Sequence, residues 1–559
     1  MKAIILLSTM MASIGSFAYA PDWSANAKIN LGETRENIYQ LSEEDFQEVQ
    51  KEGYIHALRY PVSVTGLLIP YRAMQDYYIS SEESGLKKFL ARLGKKLVGF
   101  NSEETMYQWL GLNPYNDEDA TGIFKIPYPD GYKPSYYMGA SVVDTKWGKG
   151  LTYSCATCHS ATLFGKSVMG LTNKRPRANR YFLLAKNMMP FISTKTFGKY
   201  TNATEGEMEM FARTKKNLHS VGATKPQVLG LDTSLPQVAL SLARRGKDEY
   251  ATKSKFYQTF PSHNKLDTEV ADSKPAVWWN LKYKTRWLSD GSIVQGNPIL
   301  TNFLWNELGR GTDLKELETW MKDNQETIKE LTVAAFSTKA PKWWDFFPVE
   351  TISLKRAKRG EKIYENRCSK CHGSYIKGWS QEGSESWDLE KKLETVEVQY
   401  HEKTPVKDVG TDPKRYQGTE AFAGALNDLK ISKWMKTVVV PQKGYVPPPL
   451  EGIWARYPYL HNNAIPSLCQ LLTRAKDRVE TFYQGPADNA ETDFDSECVG
   501  YPIGNNIPKH FKKDKDAFYD TRREGMSNSG HERAFIGKNG EELLSKQEKM
   551  DLIMFLKTL

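Results

Sequence analysis

The chain has 559 residues, of which 40% are hydrophobic and 26% are charged, and its formal net charge is +9. This length implies more than two small domains. The positive charge is spread along the chain without a nucleic-acid-binding motif, so we expect a solvated surface and no nucleic-acid partner. No segment after the N terminus is apolar for long enough to predict a membrane anchor.

The first twenty residues have the layout of an export signal. Lys2 precedes an apolar run that begins at Ala3, and small residues follow before Pro21. We expect cleavage after Ala20, or after Ala18 because a proline directly after the cut is unfavourable. Loss of this segment would remove Lys2 and lower the formal charge from +9 to +8. The signal predicts a soluble periplasmic protein.

Residues 21–130 form a predicted N-terminal helical region. The stretch "LSEEDFQEVQ" favours a helix start, where Ser42 and Asp45 form a capping box. Residues 131–350 and 351–559 are the next two predicted domains, because each contains one copy of a short cysteine motif.

The motif Cys-x-x-Cys-His occurs in "YSCATCHSATLFG" (153–165) and in "NRCSKCHGSYIKG" (366–378). Two thiols at this spacing can each form a thioether to one edge of a haem, and the adjacent imidazole binds the iron. Half a zinc site and a redox-active cysteine pair are the alternatives, but neither needs a histidine beside both pairs. Two covalently bound haem c groups are therefore predicted, attached through Cys155, Cys158, His159, Cys368, Cys371 and His372.

The segment after the first motif offers several sixth ligands for its iron. They are Met169, Met188, Met189 and His219. A methionine in such a stretch more often packs in a core, so an open site is also compatible with the sequence. A basic cluster is predicted either to pair with haem propionates or to form a solvated loop, and comprises Lys174, Arg175, Arg177 and Arg180.

The rest of the middle region is rich in tryptophan. Trp278, Trp279 and Trp287 are candidates for a position between the two haems. Further on, "TDLKELETWMKDNQETIKEL" (312–331) has the pattern of one amphipathic helix, with Thr312 or Asp313 as its N-cap.

The sequence around the second motif predicts its helices more clearly. Gly360, Tyr364 and Cys368 recur at four-residue intervals and predict one helix face. Ser545 and Glu548 predict a capping box for a last helix with an apolar stripe. The stripe consists of Leu552, Phe555, Leu556 and Leu559. A glycine and an aromatic on the first helix favour close crossing by the last, as in the helix pair of class I cytochrome c.

A loop before the last helix, "REGMSNSGHERAFIGKNGE", should supply the distal ligand of the second iron. His531 is the preferred candidate from its position and the preceding glycine, with His461 and Met526 as alternatives. A methionine would raise the reduction potential relative to a histidine.

The two cysteines outside the haem motifs, Cys469 and Cys498, are predicted to form a disulfide in an oxidising compartment. Two buried free thiols are the alternative. In the chain-entropy model such a bridge contributes roughly 3–4 kcal/mol.

Several patches resemble the dihaem c-type cytochromes related to bacterial rubber oxygenase and, more distantly, the dihaem cytochrome c peroxidases. They are "PDGYKPSYYMG…GLTYSCATCHSA", "LEGIWARYPYLHNNAIPSLCQLL", "SNSGHERAF" and the closing "LIMFLKTL". The resemblance implies that two histidines hold the second haem, which supports His531. It also implies that the first haem is the reactive one, with an open or exchangeable face that binds dioxygen.

Together these features predict a mainly α protein with two cytochrome c-like haem domains, extensive irregular loops and insertions. The first hypothesis is an oxidoreductase, in which the second haem relays electrons and the first reacts with peroxide or dioxygen. The alternative is a non-catalytic electron carrier with two six-coordinate haems. Either would exchange electrons with a periplasmic donor or acceptor protein, and a gas sensor has no supporting feature.

Overall fold

A computed structural model describes residues 20–79 and 102–559. The predicted export signal, residues 1–20, therefore lies outside the described residues except for Ala20.

The helices in these ranges are mostly short. Those before residue 310 are α1 (Glu43–Leu58), α2 (Tyr71–Ile79), α3 (Glu103–Leu110), α4 (Ala156–His159), α5 (Ala178–Met188), α6 (Thr194–Thr201), α7 (Glu205–Leu218), α8 (Ser234–Leu242), α9 (Lys255–Thr259) and α10 (Pro298–Gly309). Those after it are α11 (Leu314–Asp323), α12 (Gln325–Ser337), α13 (Leu354–Arg367), α14 (Ser369–His372), α15 (Leu389–Leu393), α16 (Lys414–Gly418), α17 (Ala423–Asp428), α18 (Lys430–Trp434), α19 (Leu468–Leu471) and α20 (Lys546–Leu556).

Small antiparallel sheets accompany the helices, so the fold is mixed α/β and the mainly α prediction was too simple. The strands are β1 (Ile69–Pro70), β2 (Ala140–Thr145), β3 (Gly148–Tyr153), β4 (Ser160–Leu163), β5 (Lys166–Met169), β6 (Ile293–Gln295), β7 (Ser374–Lys377), β8 (Thr395–Gln399), β9 (Val438–Val439), β10 (Thr481–Tyr483) and β11 (Phe518–Asp520). One sheet has the order β1-β3-β2, and the pairs β4–β5, β6–β9, β7–β8 and β10–β11 form the others in the described ranges.

The strands beside the first motif are too short for alternation to reveal them. Strands β4 and β5 have four residues each and are joined by Phe164 and Gly165, whose φ angles are +50° and +81°. Two positive φ angles are typical of a two-residue hairpin turn, which usually contains Asn-Gly or Asp-Gly. Because phenylalanine occupies the first turn position, the usual sequence signal is missing.

The predicted pairing of the first and last helices of the region that contains the second motif is present. A Cβ atom on Gly360 of α13 would lie 2.0 Å from the carbonyl oxygen of Asp551 in α20, so only glycine permits this close crossing. The Tyr364 ring packs 5.1 Å from that of Phe555. Ser545 and Glu548 form the predicted capping box.

The predicted helix 312–331 is two helices, α11 and α12, that meet at Asn324. Asp313 caps α11 by accepting hydrogen bonds from the backbone N–H groups of Lys315 and Glu316, as one of the two predicted N-caps. Asn324 has φ −121° and ψ 41°, a non-helical conformation that the apolar periodicity did not indicate.

The hydrophobic clusters cross the predicted boundary at residue 350. One combines buried residues from 161–283 with residues from 343–559, and another combines residues from 38–336 with residues from 422–439. The two motif-bearing regions thus share their cores, and the domain boundary remains a prediction.

Cys469 and Cys498 form the predicted disulfide, with an S–S distance of 2.10 Å. Within the described ranges, no helix combines the length and apolarity needed to cross a membrane.

Candidate functional site

The first motif lies between two strands. Strand β3 leads into Cys155, and α4 ends at His159, directly before β4. Thr157 Oγ1 donates a 2.9 Å hydrogen bond to the Gly139 carbonyl, and Arg310 Nη2 donates one of 2.8 Å to the Tyr153 carbonyl. These contacts fix the backbone before the cysteine pair and within it.

The second motif lies between a helix and a strand. Helix α13 leads into Cys368, and α14 ends at His372, before β7. The phenol of Tyr364 donates a 2.7 Å hydrogen bond to the Gly373 carbonyl, and that of Tyr375 donates one of 3.2 Å to the His372 carbonyl. The helix pair α13–α20 therefore holds the backbone beside His372.

Both motif histidines hydrogen-bond a backbone carbonyl through Nδ1. The His159 bond goes to Ala276 over 2.9 Å, and the His372 bond goes to Pro448 over 2.8 Å. A carbonyl oxygen only accepts, so Nδ1 carries the proton and the Nε2 lone pair is left for a metal. Sequence reasoning missed Ala276 and Pro448, because a backbone acceptor has no side-chain signature.

The electrostatics of the two motifs fit haem attachment better than thiol redox chemistry. Burial raises the pKa of Cys155 to about 11 and the pKa of both Cys158 and Cys368 to about 12. Redox-active cysteines need lowered thiol pKa values, and these are raised. Burial also lowers the pKa of His159 and of His372 to about 4, which keeps the imidazoles neutral, as metal ligation requires.

His531 faces His372. Their ring centroids are 6.2 Å apart, with an angle of 53° between the ring planes. Two axial imidazoles with metal–nitrogen bonds of about 2 Å would have centroids about 6 Å apart, so the pair has the spacing of two ligands on one iron. Burial and the neighbouring His372 lower the pKa of His531 to about 3, and its Nδ1 is buried without a hydrogen-bond partner among the described residues.

The two alternative ligands lie in other surroundings. The His461 ring stacks on Tyr445 with centroids 3.8 Å apart and planes 17° apart. Met526 is 0% exposed and packs in the largest hydrophobic cluster. Of the two candidate histidines, His531 is the one whose ring lies against that of His372 in the part of the chain that the structure describes.

The ring neighbour of His159 is a tryptophan. The Trp278 ring lies 5.4 Å from the imidazole, tilted by 37°, and the backbone N–H of Trp278 donates to the Gly170 carbonyl. Met169 lies in β5, where it pairs with Ser160, and it is buried in the hydrophobic cluster that also contains Trp278. Within the described residues, no second imidazole ring lies against that of His159.

The other candidate ligands of the first iron lie elsewhere. Met188 is half-buried at the end of α5, and Met189 packs in a separate hydrophobic cluster. His219 is exposed at the end of α7.

One segment, residues 276–280, links the first motif to the loop that contacts the second motif's histidine. It begins at Ala276, the acceptor for His159, and continues through Trp278. Trp279 Nε1 then donates to the Glu451 carbonyl over 2.8 Å, and Asn280 Nδ2 donates to the Pro449 carbonyl over 3.2 Å. These carbonyls lie in the proline-led loop whose Pro448 accepts from His372. By contrast, Trp287 donates to the Gly296 carbonyl and packs against Trp23 and Phe336.

The basic cluster after the first motif is divided. Arg175 and Arg177 form ion pairs with Asp514 of 2.7 and 2.6 Å, and Arg180 pairs with Asp516. These three arginines have carboxylate partners within the chain, so their pairing with propionates remains a prediction. Lys174 is different: its Nζ is buried without a hydrogen-bond partner in the described ranges.

Comparison with known families gives a match over residues 444–483 to the family described as RoxA-like, cytochrome c-like. The matched segment contains Pro448, Arg456 and His461. The match supports a relation to the rubber oxygenase cytochromes and a c-type cytochrome role, and it implies covalently bound haem c.

Two curated relatives are both from Sinorhizobium fredii (strain NBRC 101917 / NGR234). The uncharacterized protein y4iJ is 28% identical over 291 residues, which cover 44% of this chain and 45% of y4iJ. The uncharacterized protein y4iM is 26% identical over 192 residues, 33% of this chain and 43% of y4iM. The chain thus matches less than half the length of either relative.

Proposed function

We propose that the chain is an exported dihaem c-type cytochrome that acts as a periplasmic oxidoreductase. Cys155 and Cys158 would attach one haem, with His159 as its axial ligand. Cys368 and Cys371 would attach the other, with His372 and His531 on opposite faces. Covalently bound haem supplies one-electron redox chemistry and, where one axial face is open, reaction with dioxygen or peroxide.

The observation that carries this proposal is the asymmetry of the two histidines. His372 has a second imidazole opposite it at 6.2 Å, whereas His159 has Trp278 at 5.4 Å. A six-coordinate haem suits electron transfer, because neither axial position is free for a substrate. We therefore assign electron exchange with a periplasmic partner protein to the second site and chemistry on peroxide or dioxygen to the first.

Segment 276–280 is the proposed electron relay between the sites. It is hydrogen-bonded to His159 at one end and to the loop that holds His372 at the other. Trp278 and Trp279 place two aromatic rings within this connection. Trp287 is outside it, since its ring packs with Trp23 and Phe336.

Export to the periplasm is supported by the signal-like residues 1–20 and by the Cys469–Cys498 disulfide, because disulfides persist in oxidising compartments. An electron carrier with two six-coordinate haems is the alternative function. It would require a ligand for the first iron that the described residues around His159 do not show.

The test is a haem count followed by an optical titration. Protein purified from the periplasm of a host that attaches c-type haem should contain two haems per chain by the pyridine haemochrome assay. Addition of peroxide should change the absorbance of one haem and leave the other unchanged. Fewer than two haems would contradict the dihaem assignment, and no change at either would favour the electron carrier.

A further inference from the structure

Four basic side chains near the two motifs have no carboxylate bound to them among the described residues. They are Lys174, Lys274, Lys284 and Arg456, which we call the cation cluster. Lys174 and Lys284 are each 6% exposed, and Lys274 and Arg456 are half-buried. Among the described residues, Glu451 is the carboxylate whose charge acts on a member of the cluster. It acts on Arg456, but the two side chains form no ion pair.

The loop that follows Pro448, whose carbonyl accepts from His372, contacts the cation cluster. Lys274 Nζ donates to the carbonyls of Arg456 and Pro458 over 3.2 and 2.6 Å, and Arg456 Nη1 donates to the Pro449 carbonyl over 2.8 Å. Lys174 Nζ lies over the Tyr457 ring, 3.0 Å from its centroid. Backbone carbonyls therefore hold Lys274 and Arg456 without neutralising them.

The cluster is adjacent to both motifs. Asn173, beside Lys174, donates its backbone N–H to the Cys158 carbonyl over 3.0 Å. Lys274 precedes by two residues the carbonyl that accepts from His159. On the other side, Arg456 donates to the Pro449 carbonyl, and the adjacent Pro448 carbonyl accepts from His372.

The burial of these basic side chains in their charged form is unfavourable unless an anion binds among them. Burial and the charge of Lys274 hold the pKa of Lys174 well below its usual range, and burial and Arg456 lower the pKa of Lys284 to about 8. An isolated buried ammonium is strongly unfavourable, and a carboxylate with good geometry offsets much of that cost.

We propose that the cation cluster is the binding site for haem propionates. This inference rests on the proposed function, because it needs haem at the two motifs. Each haem c carries two propionates on the edge away from its thioethers, so two haems together bring four carboxylates for four cations. Either haem could supply the carboxylates, since the cluster reaches both motifs.

The cluster would also tune the reduction potentials. One electron converts a ferric iron to a ferrous iron and removes one positive charge from the haem. Nearby cations disfavour the ferric state, so they raise the potential, and removing a cation should lower it.

The test compares Lys174→Met, Lys274→Met and Lys284→Met with Lys253→Met in the holoprotein. Lys253 is a matched control, because burial lowers its pKa to about 8 as for Lys284, and Arg245 and Asp313 are among its charged neighbours. We expect each cluster variant, but not the control, to lower the midpoint potential of at least one haem by about 59 mV, a tenfold change for one electron. EPR-monitored titration assigns the shifted potential to the low-spin or the high-spin haem, and so identifies the source of the carboxylate.

Potentials that match those of Lys253→Met in all three variants would overturn the inference. The haem count separates this failure from failure of the proposed function, which would already appear in the wild type as fewer than two haems. For a variant that cannot be isolated, Lys284→Arg keeps the charge: its potential should match the wild type, and its haem propionate bending modes in resonance Raman spectra should shift. Unshifted modes would contradict contact between Lys284 and a propionate.

Discussion

The two Cys-x-x-Cys-His motifs have the same residues but different supports. The first lies between strands β3 and β4, and its histidine has Trp278 as ring neighbour. The second follows helix α13, which α20 clamps, and its histidine faces His531. In the proposed dihaem protein the motif would set attachment and one axial ligand, whereas distant segments would decide what occupies the other face.

Removal of the second imidazole should have the largest effect on this difference. In His531→Ala the second haem should change completely from low spin to high spin, because the side chain facing His372 is lost. His461→Ala is the matched control, since that ring stacks on Tyr445, and its spin states should equal those of the wild type. Electronic spectra of the ferric proteins report the change, and a low-spin second haem in His531→Ala would contradict the assignment.

The disulfide supports the second region, and in the described residues the first region has no counterpart. Cys469→Ser with Cys498→Ser should lower the free energy of unfolding by about 3–4 kcal/mol, because the unfolded chain regains the entropy of a loop closed over a sequence separation of 29. Urea unfolding of the holoprotein measures the loss. A loss below about 1 kcal/mol would show that the bridge adds little to this region.

The clamp itself is tested at Gly360. Gly360→Ala should cost about 3 kcal/mol, since its Cβ would lie 2.0 Å from the Asp551 carbonyl oxygen and would push α13 and α20 apart. Gly424→Ala is the control: no atom lies within 4 Å of its Cβ position, and α17 should gain about 0.5–1 kcal/mol. Thermal unfolding of both variants checks the prediction, and equal stability would contradict the close crossing.

A smaller effect is expected from pH. Burial opposes ionisation of Asp551, but hydrogen bonds from Arg359, Arg356 and Gln547 outweigh it and lower the pKa of this carboxyl. The ionised form therefore stabilises the clamp above the unfolded pKa of about 3.9, and that stability is lost as pH falls through the folded value.

Asp551→Asn should lose about 2 kcal/mol at pH 7, where hydrogen bonds to a charged acceptor are replaced. Its stability should also fall less than that of the wild type between pH 5 and pH 3. Urea titrations at both pH values measure this, and parallel losses in the two proteins would assign the acid sensitivity to other groups.

Sequence reasoning succeeded where the determinants are local. The capping box at Ser545, the N-cap at Asp313 and the glycine crossing at Gly360 each depend on residues within one helix or on one apolar stripe. The β4–β5 hairpin was missed because a phenylalanine occupies its turn.

The site depends on contacts that sequence patterns do not carry. Arg175 binds Asp514, which is 339 positions away, and no sequence pattern indicates this pairing. The carbonyls of Ala276 and Pro448 have no side-chain signal at all. By contrast, His531 could be selected in advance, because its loop directly precedes the last helix.

Low-temperature EPR of the purified ferric protein, recorded before and after addition of peroxide, tests the central claim most directly. The account predicts one high-spin and one low-spin signal, of which peroxide changes the high-spin signal alone. Two low-spin signals that peroxide leaves unchanged would contradict a reactive first site.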